Sequence, residues 1–185
     1  LVFTCASHKA QKHHLDSLRA WLEILQKSES ILACGPAEGS TSRLTHNCSG
    51  KHLGMITTAM HLKMDPAQYH QYEHPYQEYL RKYLTEITPI NFVKAPQAID
   101  GYGLPTYGMS LQKFASAMSL FIDESSNEKR FLACKKILSA ICKYPRFLSG
   151  ENDRIQKIIE VSQGRAILKN GAEGSYLGIM PEQGL

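Results

Sequence analysis

Apolar residues recur at three- and four-residue steps in several parts of the chain. Leu15, Leu18, Leu22 and Leu25 follow this spacing and predict an amphipathic helix over residues 15–26. The run LVFTCA at residues 1–6 lacks it and predicts a short buried strand, so a strand feeding a helix suggests α/β organisation. Residues 35–47 are rich in Gly, Ser and Thr, carry Pro36 and show no period, which predicts a loop. Helical character returns over residues 53–62, placing the stretch NCSGKH, Asn47 to His52, at a helix N-terminus.

Further along, Asp65-Pro66 reads as an N-cap with proline at the first helical position. It opens a helix that His74-Pro75 interrupts before it resumes through Tyr83. Residues 87–105 are broken by Pro89, Pro96, Pro105, Gly101 and Gly103, predicting loop with a short strand near residues 97–99. Ser110 starts a helix with Leu111, Phe114, Ala115, Met118 and Phe121 on one side. Residues 128–143 give another through Phe131, Cys134, Leu138 and Ile141, and the two predict a packed helical hairpin. A last helix over residues 152–163 carries Ile155, Ile158 and Ile159; residues 165–168 and 175–180 are strand-like on either side of a glycine-bearing turn.

Composition narrows the class. A chain of 185 residues with 43% apolar and 21% charged content fits one soluble globular domain. The net charge of +4 is scattered in single lysines, not massed in a stripe, which argues against a nucleic-acid partner. No stretch approaches the roughly 18 consecutive apolar residues of a membrane span, so no membrane association is expected. Five cysteines without C-x-x-C spacing imply neither a disulfide framework nor a zinc ribbon, and reduced thiols in a cytoplasmic protein are the simplest reading. The chain opens without Met on one strand-like run and stops just after another. A sheet cut at both edges is expected, and residues 1–185 read as a single truncated domain.

Hydroxyls, thiols and amines become nucleophiles only when a neighbour takes a proton or burial lowers an amine pKa, so a Ser or Cys able to meet a Lys or His is the useful signal. Three places qualify. In NCSGKH, free backbone N–H groups around Ser49 and Gly50 suit an oxyanion or a carboxylate, and Lys51 adds charge; a solvated turn capping a helix would read the same. Cys5-Ala6-Ser7-His8 follows the first strand, where sheets present reacting groups, although Ser7 as a turn starter with His8 facing water fits equally. The third is KNGAEG, Lys169 to Gly174, against the alternative of an ordinary hairpin turn. Two S-x-x-K matches, Ser110 to Lys113 and Ser126 to Lys129, read as N-cap serines with exposed lysines. His70 and His74 have the i,i+4 spacing of a helical metal pair without a nearby third ligand.

Taken in order, SH at 7–8, CGP at 34–36, NCSGKHLGM at 47–55, HP at 74–75, IDGYGLPTYGMSL at 99–111 and KNGAEGSYLGI at 169–179 resemble the Rhizobium-type L-asparaginase (asparaginase II) family. NCSGKH is the most specific of these signatures. The resemblance covers the whole chain but only the middle of a family member. It implies an α/β (α+β) fold related to the serine β-lactamases, an antiparallel sheet flanked by helices, here incomplete. It also implies hydrolysis of the asparagine side-chain amide to aspartate and ammonia by serine acyl transfer, a small-molecule substrate and a homodimer.

Carried over residue by residue, the resemblance makes Ser7 and Lys169 the second of two Ser-Lys pairs. The serine of the first pair lies upstream of Leu1, so the 185 residues alone are expected to be inactive. Ser7 or that upstream serine would attack, with Lys169 as neutral base or holding the hydroxyl network. His8, Ser49 and Gly50 are implied at the substrate, with Asp100 and then Glu173 as partners for its ammonium. Cys48 and Lys51 match zinc ligands, but Tyr102 stands where the third, a cysteine, is expected, and a phenol is a poorer zinc ligand than a thiolate. Ile155 stands where relatives often have an acid or Cys. These departures motivate the alternative of a non-catalytic module that binds asparagine or aspartate.

Overall fold

In the computed structural model, which describes residues 1–125 and 127–184, the apolar run at the start of the chain closes a single helical turn, α1 (Val2–Cys5), and not the expected strand. A strand needs a hydrogen-bonded neighbour, whereas this turn satisfies its own polar groups. The backbone N–H and the hydroxyl of Thr4 donate to Leu1 O at 3.1 and 2.6 Å, and Ala6 N–H donates to Phe3 O at 3.2 Å.

The turn is seated on α3 (Ser49–His61), whose Gly50 and Gly54 let the two backbones approach. A Cβ on Gly50 would lie 2.4 Å from Phe3 O, and one on Gly54 would lie 2.6 Å from Thr4 Cγ2. Gly50→Ala is therefore expected to lose about 1–3 kcal/mol by overpacking against backbone. Gly35→Ala, where a new Cβ meets nothing within 4 Å, serves as the control, and urea midpoints of the two variants read the difference.

Helix α2 (Lys12–Leu25) starts three residues before its apolar stripe because Gln11 and His14 form a reciprocal capping box. It ends where Gln26 turns left-handed, at φ 53°. Leu18 and Leu22 pack with Leu32, Leu44, Leu53, Ile56 and Tyr69 into a first core, against which Phe3 of α1 rests.

The expected helix at Asp65-Pro66 is absent. Asp65 Oδ1 caps Ala67 N–H in a local turn, and His74 Nε2 bonds Asp65 O, holding the segment folded on itself. His74 instead caps α4 (Pro75–Ile87), accepting Tyr76 N–H on Nδ1, so His70 and His74 do not share a helix face. The strand expected near 97–99 is β1 (Gln97–Ile99), paired antiparallel with β2 (Pro105–Tyr107).

Ser110 caps α5 (Leu111–Met118) by accepting Lys113 N–H, the role expected of it. Ser126 lies outside the described residues. Helix α6 (Glu128–Lys143) meets α5 through the 3₁₀ turn Ser119–Phe121, and the two line, with the end of α4 and the segment after it, an apolar cavity of about 720 Å³. Leu111, expected on the packed side of this pair, is exposed.

After the short α7 (Pro145–Leu148) comes α8 (Arg154–Val161), then the antiparallel pair β3 (Ile167–Asn170) and β4 (Tyr176–Ile179), in which Lys169 faces Leu177 across the ladder. Val2, Leu138, Ile141, Leu148, Ile155, Ile159, Ile167 and Ile179 form a second core. The class is α+β, and among the described residues the pairing is antiparallel throughout, with four strands divided between two hairpins. Helix α1 sits at the seam: Phe3 belongs to one core and Val2 to the other. No described helix is long and apolar enough to cross a membrane.

Candidate active site

The chain leaves α1 at the seam and is tied to both sides at once. Ser7 N–H donates to Leu148 O at 2.9 Å, and His8 N–H donates to Asn47 O at 3.1 Å. The side chain of Asn47 returns the contact, its Nδ2 donating to Ser7 Oγ at 3.0 Å. That bond fixes the serine oxygen while leaving its proton free for another acceptor. Asn47 thus positions the predicted nucleophile, a role the sequence offered only as the first letter of NCSGKH.

His8 and Ser49, both expected at the substrate, meet each other inside the protein. Ala10 N–H donates to His8 Nδ1 at 3.1 Å, which puts the ring proton on Nε2, 2.9 Å from Ser49 Oγ; Ser49 in turn donates to Leu44 O at 3.0 Å. The chain of bonds is closed and both side chains are buried. Burial, followed by the neighbouring His14, His46 and His13, pushes the His8 pKa down to about 3, so the ring is neutral. Ser49 N–H is engaged by His46 O, while the N–H groups of Gly50 and Lys51 have no acceptor among the described residues, as expected for the first turn of a helix. Cys48 is the N-cap of α3, confirming that the motif opens a helix.

Lys169 approaches the same turn from β3. Burial lowers its pKa, the Cys48 and Cys5 thiols pull it partly back, and the charge on Lys51 adds to the depression. Its Nζ donates to the backbone and side-chain oxygens of the adjacent Asn170. Ser7 is thus bonded to Asn47, and Lys169 lies close enough to the next residue, Cys48, for their charges to interact; no hydrogen bond joins Ser7 and Lys169 among the described residues. Glu173 stands exposed at the tip of the β3–β4 hairpin with φ 54°.

Two polar recesses border the segment that follows Ser7. One, of about 480 Å³, is lined by His8, Glu38, Thr45, His46 and Asn47; the other, of about 350 Å³, by Asp153, Ile155, Asn170 and Tyr176. Lys9 borders both, so the segment just after Ser7 forms their partition, and the Lys9–Asp153 ion pair at 2.7 Å fixes it. The larger apolar cavity between α5 and α6 shares no residue with this region.

On the far side of Cys48 lies the β1–β2 loop. Asp100 Oδ1 accepts Tyr102 N–H at 2.8 Å and Leu104 N–H at 2.9 Å, and Asp100 Oδ2 lies 3.5 Å from Lys51 Nζ. Lys51 also sits 4.9 Å from the centre of the Tyr102 ring, which meets His46 edge-on at 4.8 Å. Burial raises the Cys48 thiol pKa, with the Lys51 and Lys169 charges opposing it and the Tyr102 hydroxyl close enough to add to that opposition.

These donors do not suit zinc. The metal needs a thiolate and a lone pair on each nitrogen. Here the lysine amine faces the Asp100 carboxylate at 3.5 Å and the third position is a phenol.

A family model described as L-asparaginase II matches residues 1–185. No curated protein matches the chain.

Proposed function

The chain belongs to the L-asparaginase II family, and from that membership we propose that the full-length protein containing it hydrolyses the side-chain amide of L-asparagine to L-aspartate and ammonia by acyl transfer through Ser7. The observation that carries this reading is the approach of a fixed serine hydroxyl and a desolvated lysine to one turn, Asn47-Cys48, from opposite elements of the fold.

Neutral Lys169, turned away from Asn170, takes the Ser7 proton as Oγ attacks the amide carbon. A lysine amine with a depressed pKa suits that task because desolvation brings its neutral form within easier reach than that of an exposed lysine. The N–H groups of Gly50 and Lys51 suit the oxyanion that forms. The C–N bond then breaks, and the Lys169 ammonium returns the proton to the leaving nitrogen, releasing ammonia. A water, deprotonated by the same amine, attacks the aspartyl ester; aspartate leaves and Ser7 regains its proton. The recess beside Asn47 offers room for the amino acid, with Glu38 available to its ammonium.

The natural full-length protein is expected to release ammonia from L-asparagine in a coupled assay, and Ser7→Ala is expected to lower kcat by about 10³-fold or more. Calorimetric binding of asparagine by the full-length protein without ammonia release would instead identify a binding module.

A further inference from the structure

Lys51, Asp100 and Tyr102 do together what a metal ion does at such a place, which is to tie a loop to a helix. Asp100 orders the loop from within: Oδ1 takes two backbone N–H groups, while its own N–H donates to Leu104 O at 2.8 Å and its carbonyl accepts Gly103 N–H at 3.1 Å. The other carboxylate oxygen reaches Lys51 on the first turn of α3, and the two side chains are only 23% and 30% exposed. The Tyr102 ring completes the contact, covering the Lys51 ammonium on one side and meeting His46 on the other.

We infer that the Asp100–Leu104 loop is held over the Cys48 turn by an organic clasp, the Lys51–Asp100 ion pair capped by Tyr102, which replaces a metal at this position. The claim is about how the loop is held and does not depend on the reaction proposed above, so its readouts are metal content and melting temperature. The pair is partly shielded, and each charge is the other's main partner, so removing either one has the same consequence. Asp100→Asn is the sharper variant: the amide oxygen can still accept Tyr102 and Leu104 N–H, and only the charge is lost.

The experiment is made on the natural full-length protein, dialysed against zinc and then against metal-free buffer. Expected are zinc far below one per chain and a melting temperature unchanged by a strong chelator. Lys51→Met and Asp100→Asn should each lower Tm by roughly 4 °C, and the double variant should fall no further than either single one. Stoichiometric zinc lost in Lys51→Met, with a chelator-sensitive Tm and an Asp100→Asn variant that melts like the wild type, would overturn the clasp. So would additive Tm losses in the double variant, which would mean that the two side chains do not act on each other. If Lys51→Met fails to fold, metal content and Tm in Asp100→Asn alone decide: no retained zinc with a lowered Tm upholds the clasp, and stoichiometric zinc with an unchanged Tm overturns it.

Discussion

Replacing Lys169 with alanine is expected to lower kcat for asparagine hydrolysis by about 10²–10⁴-fold with KM little changed, the range for removing a positioned acid–base group. The expectation follows from where the strand pair holds the residue. Lys169 faces Leu177 across β3–β4, and its stem lines a small apolar cavity with Cys5, Leu168 and Leu177, so the amine is desolvated whatever the substrate does. Desolvation disfavours the ammonium, and the charge on nearby Lys51 works in the same direction. The neutral amine is the active form, so kcat/KM should rise with pH through a lysine pKa below its ordinary value. In Lys169→Ala that limb should vanish from the pH profile. Lys169→Arg should not restore it, because a guanidinium stays charged. A profile unchanged in either variant would remove Lys169 from the chemistry.

The second large effect is on stability in mild acid. Three histidines are buried neutral: His8, lowered to about 3 by burial and then by His14, His46 and His13; His14, lowered to about 4 by burial and then by His13; and His52, lowered to about 3 by burial and then by Lys51 and His46. Each has its acceptor nitrogen occupied: His8 by Ala10 N–H, His14 by Gln11 N–H and His52 by the Tyr69 hydroxyl.

Their folded pKa values lie below the unfolded value of 6.5, so the unfolded chain binds more protons between about pH 6.5 and pH 4. Stability is therefore fully present above pH 6.5 and is lost as pH falls through that window. At about 1.4 kcal/mol per pH unit for each group, three of them remove roughly 4 kcal/mol per unit once well inside the window. Against a total of about 5–15 kcal/mol, the protein is expected to unfold near pH 5. Urea titrations at pH 7.5, 6 and 5 check this. Equal midpoints across the three would mean that these rings protonate inside the folded protein.

Much of the helical frame was legible from spacing and capping alone. Helices α2, α3, α5, α6 and α8, and the strand at Gln97–Ile99, sit where periodicity and punctuation predict them, because those signals are local. What failed was decided at a distance. The run LVFT has the same apolar character in a strand and in a buried helical turn; the choice was made by Gly50 and Gly54, almost fifty residues away, which offer α1 a groove.

Asp65-Pro66 has the local grammar of a helix start, yet His74 binds Asp65 O and keeps the intervening segment looped. The chemistry divides in the same way. Ser7, Cys48, Lys51 and Lys169 stood out as residue types in a recognisable order. The bond from Asn47 to Ser7 and the Lys51–Asp100–Tyr102 contacts join segments about forty to fifty residues apart, and only the fold brings them together.

The most direct test is to quench the full-length protein during turnover of L-asparagine and map the covalent adduct by peptide mass spectrometry. An aspartyl ester on Ser7, absent from Ser7→Ala, is the result expected. The same ester on any other hydroxyl, with Ser7→Ala turning over at the wild-type rate, would contradict the account.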